Sequence, residues 1–258
     1  MHIAHAGLLF CAAVVAGAIN SVAGGGSFIS FPSLLFIGIP PVNANATNTV
    51  ALWPGQVASI GAYRGELEKL PWRGIMPLLI TGILGGILGA WVLLKTPQKT
   101  FMNLVPWLLL IATLIFMLSG RITQWVRQRT AEHHTTEFAT GRGIFIQIFI
   151  AFYIGYFGAG AGILILAMLA LLGMDQIHTM NALKALLTTV SNGVAMLLFV
   201  VSHAVYWPET ILMIIGSSLG GYFGAHFAQK TKPENVRRIV IVIGFVLAAY
   251  FFAKQIRG

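Results

Sequence analysis

Residues 17–49 read GAINSVAGGGSFISFPSLLFIGIPPVNANATNT. The stretch is apolar enough to enter a membrane, yet the glycines Gly24 to Gly26 interrupt it, and Asn20, Ser21 and Ser27 flank the interruption. Pro40 and Pro41 follow, and then Asn43, Asn45, Thr47, Asn48 and Thr49. At 1.5 Å per residue the apolar run after the glycines, 27–38, reaches only about 18 Å, against a hydrocarbon core of about 30 Å. The stretch therefore predicts a membrane segment broken at depth, followed by a helix that carries uncharged hydrogen-bonding side chains.

The rest of the chain has the same solvent in view. Of 258 residues, 57% are hydrophobic and 9% charged, where soluble domains carry about 25% charged residues. Mean hydropathy is +0.83. Apolar runs recur at 3–22, 27–38, 43–62, 74–94, 101–120, 143–157, 161–173, 178–202, 208–228 and 236–256. Most approach the roughly 20 residues that a spanning helix needs. An all-α polytopic membrane protein with no separate soluble domain follows. The formal charge of +9 lies in short clusters between the runs, which reads as a topology signal rather than as nucleic-acid binding. Cys11 is the single cysteine, so neither an internal disulfide nor a cysteine metal site is expected. No Lys or Arg precedes the first apolar run, which argues against a cleaved signal peptide.

The runs repeat. Gly85-Gly86-Ile87-Leu88-Gly89-Ala90 returns as Gly220-Gly221-Tyr222-Phe223-Gly224-Ala225, with Trp72 and Trp207 equally far upstream. Ala23-Gly24-Gly25-Gly26 matches Ala159-Gly160-Ala161-Gly162, Asn45-Ala46 matches Asn181-Ala182, and Gln56 falls opposite Asn192. The organisation expected is a first transmembrane repeat at 1–120, a basic cytoplasmic linker at 121–142 and a second repeat at 143–258. Basic residues crowd 63–73, 121–142 and 229–238, whereas 38–44 and 203–208 have none. Placing the basic loops in the cytoplasm requires about five segments per half, an odd number. The two repeats are then inverted, each with a short Gly-interrupted helix pair, and both termini are external. Lys95, Lys99, Lys254 and Arg257 then flank the outer face, against the rule.

Inverted repeats with short interrupted segments at matching places point to the midplane site of a secondary transporter. Broken backbone at that depth must be buried in protein or line a cavity, and helix N-termini favour anions. Glycines in membrane helices also simply let helices approach. Packing is the reading for Gly85, Gly86, Gly89, Gly220, Gly221 and Gly224. Substrate contact is the reading for Gly24, Gly25, Gly26, Gly160 and Gly162, with Gly158 beside them.

The polar candidates are Asn20, Ser21 and Ser27 at the first break, then Asn45, Thr47, Asn48 and Gln56. Asn45, Asn48 and Thr49 share a helix face, although such amides also glue helices together. Trp53-Pro54-Gly55 is expected to kink or interrupt that helix, with Gln56 at the break. In the second half, Asn181, Lys184, Thr188, Ser191 and Asn192 lie on one helix, the first three along one stripe. Lys184 is an ionised side chain well inside a predicted span with no acidic partner in the spans. A buried charge costs at least about 2.5–3.5 kcal/mol, so an anionic substrate would supply its counter-charge; snorkelling to the interface is the alternative. Asp175, His178, His203 and His226 near segment ends are candidates for carrying protons or are simply solvated. His133-His134 lacks further metal-ligand spacing. No catalytic motif or phosphate-binding loop is present, so no catalytic residue, metal or cofactor is expected.

Asn20-Ser21-Val22-Ala23-Gly24-Gly25-Gly26-Ser27-Phe28-Ile29-Ser30-Phe31-Pro32, followed by Pro40-Pro41-Val42-Asn43-Ala44-Asn45-Ala46-Thr47-Asn48-Thr49-Val50-Ala51, resembles the sulfite exporter TauE/SafE family of membrane transporters. The second half matches more loosely, through Gly158-Ala159-Gly160-Ala161-Gly162, Asn181-Ala182-Leu183-Lys184 and Ser191-Asn192. The resemblance implies a bacterial inner-membrane carrier of small sulfur-containing anions, sulfite or organosulfonates, driven by the proton or ion gradient. The second half has Ala-Leu-Lys where the first has Ala-Thr-Asn, so the polar motif is not duplicated intact.

Three functions are weighed. A secondary transporter would move a small anion, sulfur-containing or a carboxylate. A channel for anions or small solutes would use the same broken helices as a filter. A membrane scaffold or enzyme subunit would carry no flux and leaves the polar cluster without a purpose. The partners expected are a small anionic substrate and the lipid bilayer, with no nucleic acid. Glycine-rich faces suit a homodimer as well as internal packing.

Overall fold

The computed structural model describes residues 3–22, 25–130, 141–174, 176–228 and 233–256. They form α1 (Ile3–Val22), α2 (Ser27–Phe36), α3 (Pro41–Ala62), α4 (Arg64–Leu67), α5 (Trp72–Lys95), α6 (Gln98–Thr130), α7 (Gly141–Tyr156), α8 (Ala161–Leu171), α9 (Ile177–Val201), α10 (Trp207–Ala228) and α11 (Pro233–Ile256). No strand occurs among the described residues. Each predicted apolar run is a helix, with ends displaced by a few residues.

Five stretches, Ile3–Asn20, Trp72–Lys95, Gln98–Leu118, His178–Val201 and Arg238–Ile256, are long and apolar enough to cross a membrane. Their outward faces are apolar too. On α5, Met76, Ile80, Ile83, Leu84, Ile87, Leu88 and Trp91 are all exposed. Such a face would be a liability in water and is the normal covering in lipid. By contrast α2, with 10 residues, and α8, with 11, reach only about 15–17 Å.

Both short helices stop in the same way. The N–H of Ile39 donates to Leu34 O (3.2 Å), and that of Met174 to Leu169 O (3.1 Å). The glycines just before them, Gly38 and Gly173, have positive φ. This is the Schellman closure, and it recurs at matching places of the two repeats.

The helix boundaries depart from the apolar runs in three places. Trp53-Pro54-Gly55 does not interrupt α3, which runs on to Ala62 with Pro54 inside it. One missing N–H removes one bond of a ladder that neighbouring turns sustain, and Gln56 therefore sits within the helix rather than at a break. The membrane run predicted to end at residue 120 continues as helix to Thr130. Apolarity marks where lipid ends, whereas Arg, Gln and Thr still propagate a helix. A further short helix, α4, lies in the basic loop 63–73, where no apolar period announced it.

The chain forms two compact units, each drawn from both halves of the sequence. Unit one comprises Met1–Gly55, Leu93–Met117 and Phe199–Gly258. In it α1 packs along α10, and helix backbones touch. A Cβ on Gly220 would lie 1.8 Å from Val14 O, and one on Gly17 would lie 2.1 Å from Ser217 O. Unit two comprises Gln56–Val92 and Leu118–Leu198. There α5 meets α7 in the same manner, with a Gly89 Cβ 2.1 Å from Phe152 O and a Gly155 Cβ 2.2 Å from Gly86 O. The packing role read for Gly85, Gly86, Gly89 and Gly220 is what the structure shows. Gly221 differs, for the nearest atom to its Cβ is 3.9 Å away. The side of α10 at Gly224 lies outside the described residues. The buried core of unit two gathers Ile75, Leu78, Ile154, Ile165, Leu169, Leu183 and Leu187, the inward faces of α5, α7, α8 and α9.

Candidate functional site

In unit one the polar residues of the first break satisfy one another. Asn20 Oδ1 accepts the Gly26 N–H at 2.8 Å. Ser30 Oγ donates to Asn48 Oδ1 at 2.5 Å, and Asn48 Nδ2 donates to Ser27 Oγ at 3.3 Å. Two further N–H groups in the first turn of α2 are closed, since those of Phe28 and Ile29 donate to Gly25 O and Gly26 O, each at 3.0 Å, while that of Ser27 has no acceptor among the described residues. A Cβ on Gly26 would stand 2.4 Å from Ala16 O, so this glycine lets the α2 start press on α1. Gly25 is buried close to Val240 and Phe116. Gly24 lies outside the described residues. The Ser21 backbone closes α1, and its side chain is not described.

The other first-half candidates are also engaged. Thr47 is fully buried, and its hydroxyl accepts the Tyr206 N–H at 3.0 Å. That bond fixes the turn into α10. Asn45 is buried and hydrogen-bonded, and its carbonyl accepts from Thr49 Oγ1 at 2.9 Å. Asn43 ties α3 to the same turn, donating to Ala204 O at 2.9 Å. The polar run 43–49 therefore braces unit one through named bonds.

The second break, in unit two, is different. Three residues before Ala23 stands Asn20, and three before Ala159 stands Tyr156, whose ring stacks on Phe152. No amide is present at that place to cap Gly162 as Asn20 caps Gly26. The N–H groups of Ala159, Gly160 and Gly162 have no acceptor among the described residues. Gly160, the N-cap of α8, has φ +74, a left-handed conformation that glycine adopts without penalty. Tyr153 Oη donates to Ala159 O at 2.6 Å and secures the loop at that carbonyl.

Lys184 and Asn192 bracket those amides. A Cβ on Gly162 would lie 3.4 Å from Lys184 Cδ, and one on Gly158 would lie 3.8 Å from Asn192 Oδ1. Lys184 Nζ donates to Asn181 Oδ1 at 2.9 Å. No carboxylate pairs with it among the described residues, where the ion pairs are Arg64–Glu68 and Lys69–Glu66. Asn192 is buried, and its Nδ2 donates to Gln56 Oε1 at 3.0 Å. Thr188 is turned back on its own helix and donates to Lys184 O at 2.7 Å. Ser191 is fully buried and faces α5, where a Gly82 Cβ would lie 3.1 Å from its hydroxyl. Thus Gly162 lies against Lys184, which bonds Asn181, and Gly158 lies near Asn192, which bonds Gln56, while Ser191 faces α5. Among the described residues, no group of His, Cys, Asp and Glu side chains could hold a metal ion.

The Asn192–Gln56 bond joins the middle of α9 to the part of α3 in unit two. A net hydrogen bond contributes roughly 0.5–1.5 kcal/mol. Asn192→Ala and Gln56→Ala are each expected to lower stability by about 1 kcal/mol. The double variant should cost clearly less than the sum, and thermal unfolding of the four proteins in lipid nanodiscs would check it.

Glu66 on α4, outside the spans, was missed by sequence reasoning because an acid in a basic loop reads as solvated. It accepts from Lys69 Nζ at 2.8 Å and from Thr179 Oγ1 at 3.1 Å, clamping the loop to the first turn of the Lys184 helix. These bonds, Lys69 first and Thr179 next, hold its carboxyl below the ordinary value of 4.5. A depressed pKa stabilises above the unfolded value and is lost as pH falls through the folded one. Protection of residues 63–70 against hydrogen exchange, taken relative to the intrinsic rate at each pH, is expected to fall below about pH 4.5 in wild type. In Glu66→Gln the fall should be absent and the basal protection lower.

Apolar helices of this number and length and outward faces that suit lipid define a multi-pass membrane protein. The chain belongs to the sulfite exporter TauE/SafE family, whose profile matches residues 9–251, and it is a membrane transporter. It is similar to a probable membrane transporter protein of Haemophilus influenzae, 29% identical over 249 residues that cover 96% of this chain and 94% of that one. It is 28% identical over 245 residues to the probable membrane transporter protein YfcA of Escherichia coli K12, covering 94% and 88%. YunE of Bacillus subtilis, named in the same way, is 22% identical over 260 residues, covering 92% and 95%. No solved structure matches the chain.

Proposed function

We propose that the protein is a secondary transporter of a small sulfur-containing anion, sulfite or an organosulfonate, across the bacterial inner membrane, coupled to the proton or ion gradient. The observation that carries this reading is the set of N–H groups at Ala159, Gly160 and Gly162 without an acceptor among the described residues, with the stem of Lys184 against Gly162 and no carboxylate paired with that lysine among the same residues. Backbone donors at a helix start and a cation suit a compact oxyanion. Substrate oxygens would take the loop amides, Lys184 Nζ and the Asn192 amide. The family supplies sulfite as the first substrate to try. The two sequence repeats, inverted as their loop charges suggest, would supply the alternating access that such carriers use.

Labelled sulfite flux into proteoliposomes, with and without an imposed proton gradient, tests it. Saturable flux that responds to the gradient is the expected result. Flux that never saturates and ignores the gradient would make the protein a channel. Zero sulfite flux alongside saturable flux of a carboxylate would move the substrate class.

A further inference from the structure

Gln147 lies in the middle of α7 and is fully buried. Among the described residues neither its Nε2 nor its Oε1 has a hydrogen-bond partner, and the fully buried Ser191 Oγ on α9 has none either. The two side chains meet at one place. A Cβ built on Gly82 of α5 would lie 3.1 Å from Ser191 Oγ and 3.5 Å from Gln147 Nε2. Around them the helices make dry backbone contacts, since a Gly86 Cβ would lie 2.6 Å from Ser191 O and a Gly85 Cβ 2.6 Å from Ile148 O. Leaving three polar atoms orphaned inside such a contact is unfavourable, and lipid offers nothing to satisfy them.

We propose that Gln147 and Ser191 form a buried water site at Gly82, which joins α5, α7 and α9 through hydrogen bonds. The chemistry selects the occupant. The site is uncharged and offers an amide donor, an amide acceptor and a hydroxyl able to do either, so it suits a molecule that both donates and accepts. Three partners are within the number that buried waters use. Glycine at position 82 puts no side chain against the two buried heads, and any larger residue would press on them. An anion would gain no cation here and would meet the Gln147 carbonyl oxygen. The matching places of the other repeat carry Cys11 and Gly55, so the polar pair belongs to unit two alone. This inference stands apart from the anion site at Gly160 and holds whatever the substrate is.

The sign of a stability change decides it. Gln147→Met keeps the size of the side chain and removes its polar atoms. If those atoms are orphaned, the variant melts higher; if water satisfies them, it melts lower and leaves Ser191 stranded. The full chain in lipid nanodiscs, labelled with 15N-glutamine, is the sample. The expected results are a lower melting temperature for Gln147→Met and a smaller further drop on adding Ser191→Ala than that change causes alone. NMR should show a cross-peak between the Gln147 side-chain amide and water that disappears in Gln147→Met. A melting temperature equal to or above wild type would overturn the site. An amide cross-peak to Ser191 protons with none to water would also overturn it, because the pair would then bond directly.

Discussion

Lys184→Ala abolishes saturable anion flux while leaving a folded, correctly inserted protein; that is the largest functional effect expected. The ammonium donates to Asn181 Oδ1, 2.9 Å away, and its stem runs along Gly162. Its removal unbinds no carboxylate among the described residues, so folding loses little. The substrate loses a charge-assisted bond, of the order of 1.5–3 kcal/mol, or about tenfold to 150-fold in affinity. Lys184→Met separates charge from packing because it keeps most of the apolar stem, and it should transport as poorly as Lys184→Ala. Lys184→Arg should restore part of the flux with a raised KM, since a planar guanidinium does not reproduce the compact ammonium. Flux in proteoliposomes is the measurement, with orientation checked by protease access to the loops. Undiminished flux in Lys184→Ala would leave the lysine a snorkelling residue and remove the centre of the proposed site.

Gly220→Val prevents unit one from forming, and Gly89→Val does the same to unit two; these are the largest structural effects expected. Even the first carbon would overlap a backbone carbonyl, at 1.8 Å from Val14 O and 2.1 Å from Phe152 O. Backbone cannot swing away as a side-chain tip can, so the helices must separate. Their separation forfeits the close packing on which membrane helix association depends. Loss of the monodisperse peak in detergent size-exclusion chromatography is the readout. Gly221→Ala, one residue along, should be tolerated because its nearest neighbour is 3.9 Å away. Gly7→Ala should raise the melting temperature slightly, for nothing lies within 4 Å and alanine is the better helix former by about 1 kcal/mol.

The contrast between Gly220 and Gly221 shows where sequence reading runs out. Both belong to one repeated motif and carry the same packing expectation, and only the facing of α10 on α1 separates them. The polar residues behave likewise. Asn45, Thr47, Asn48 and Ser191 share chemistry with Asn192 and were candidates on equal terms. The fold uses Thr47 to hold the Tyr206 N–H and Asn48 to hold Ser27 and Ser30, turns Ser191 toward α5, and sets Asn192 by the glycine loop. Gln147 gave no signal in sequence, since a single amide in an apolar helix looks like helix glue until its neighbours are known. Ser30 carried a faint one, lying three residues beyond Ser27 on the same helix.

By itself, the sequence determined the solvent, the helices and their breaks. Apolar length is a one-dimensional property, and lipid forces every long apolar run to close its backbone bonds internally. The glycine interruptions were legible for the same reason, as a short run cannot span. Tertiary structure alone decided which break stays open. Asn20 reaches across the first to cap Gly26, while Tyr156 at the matching place stacks on Phe152 and leaves the Gly162 N–H uncapped. Hydrogen bonds between residues far apart in the chain depend on distance in space, which a linear pattern does not encode.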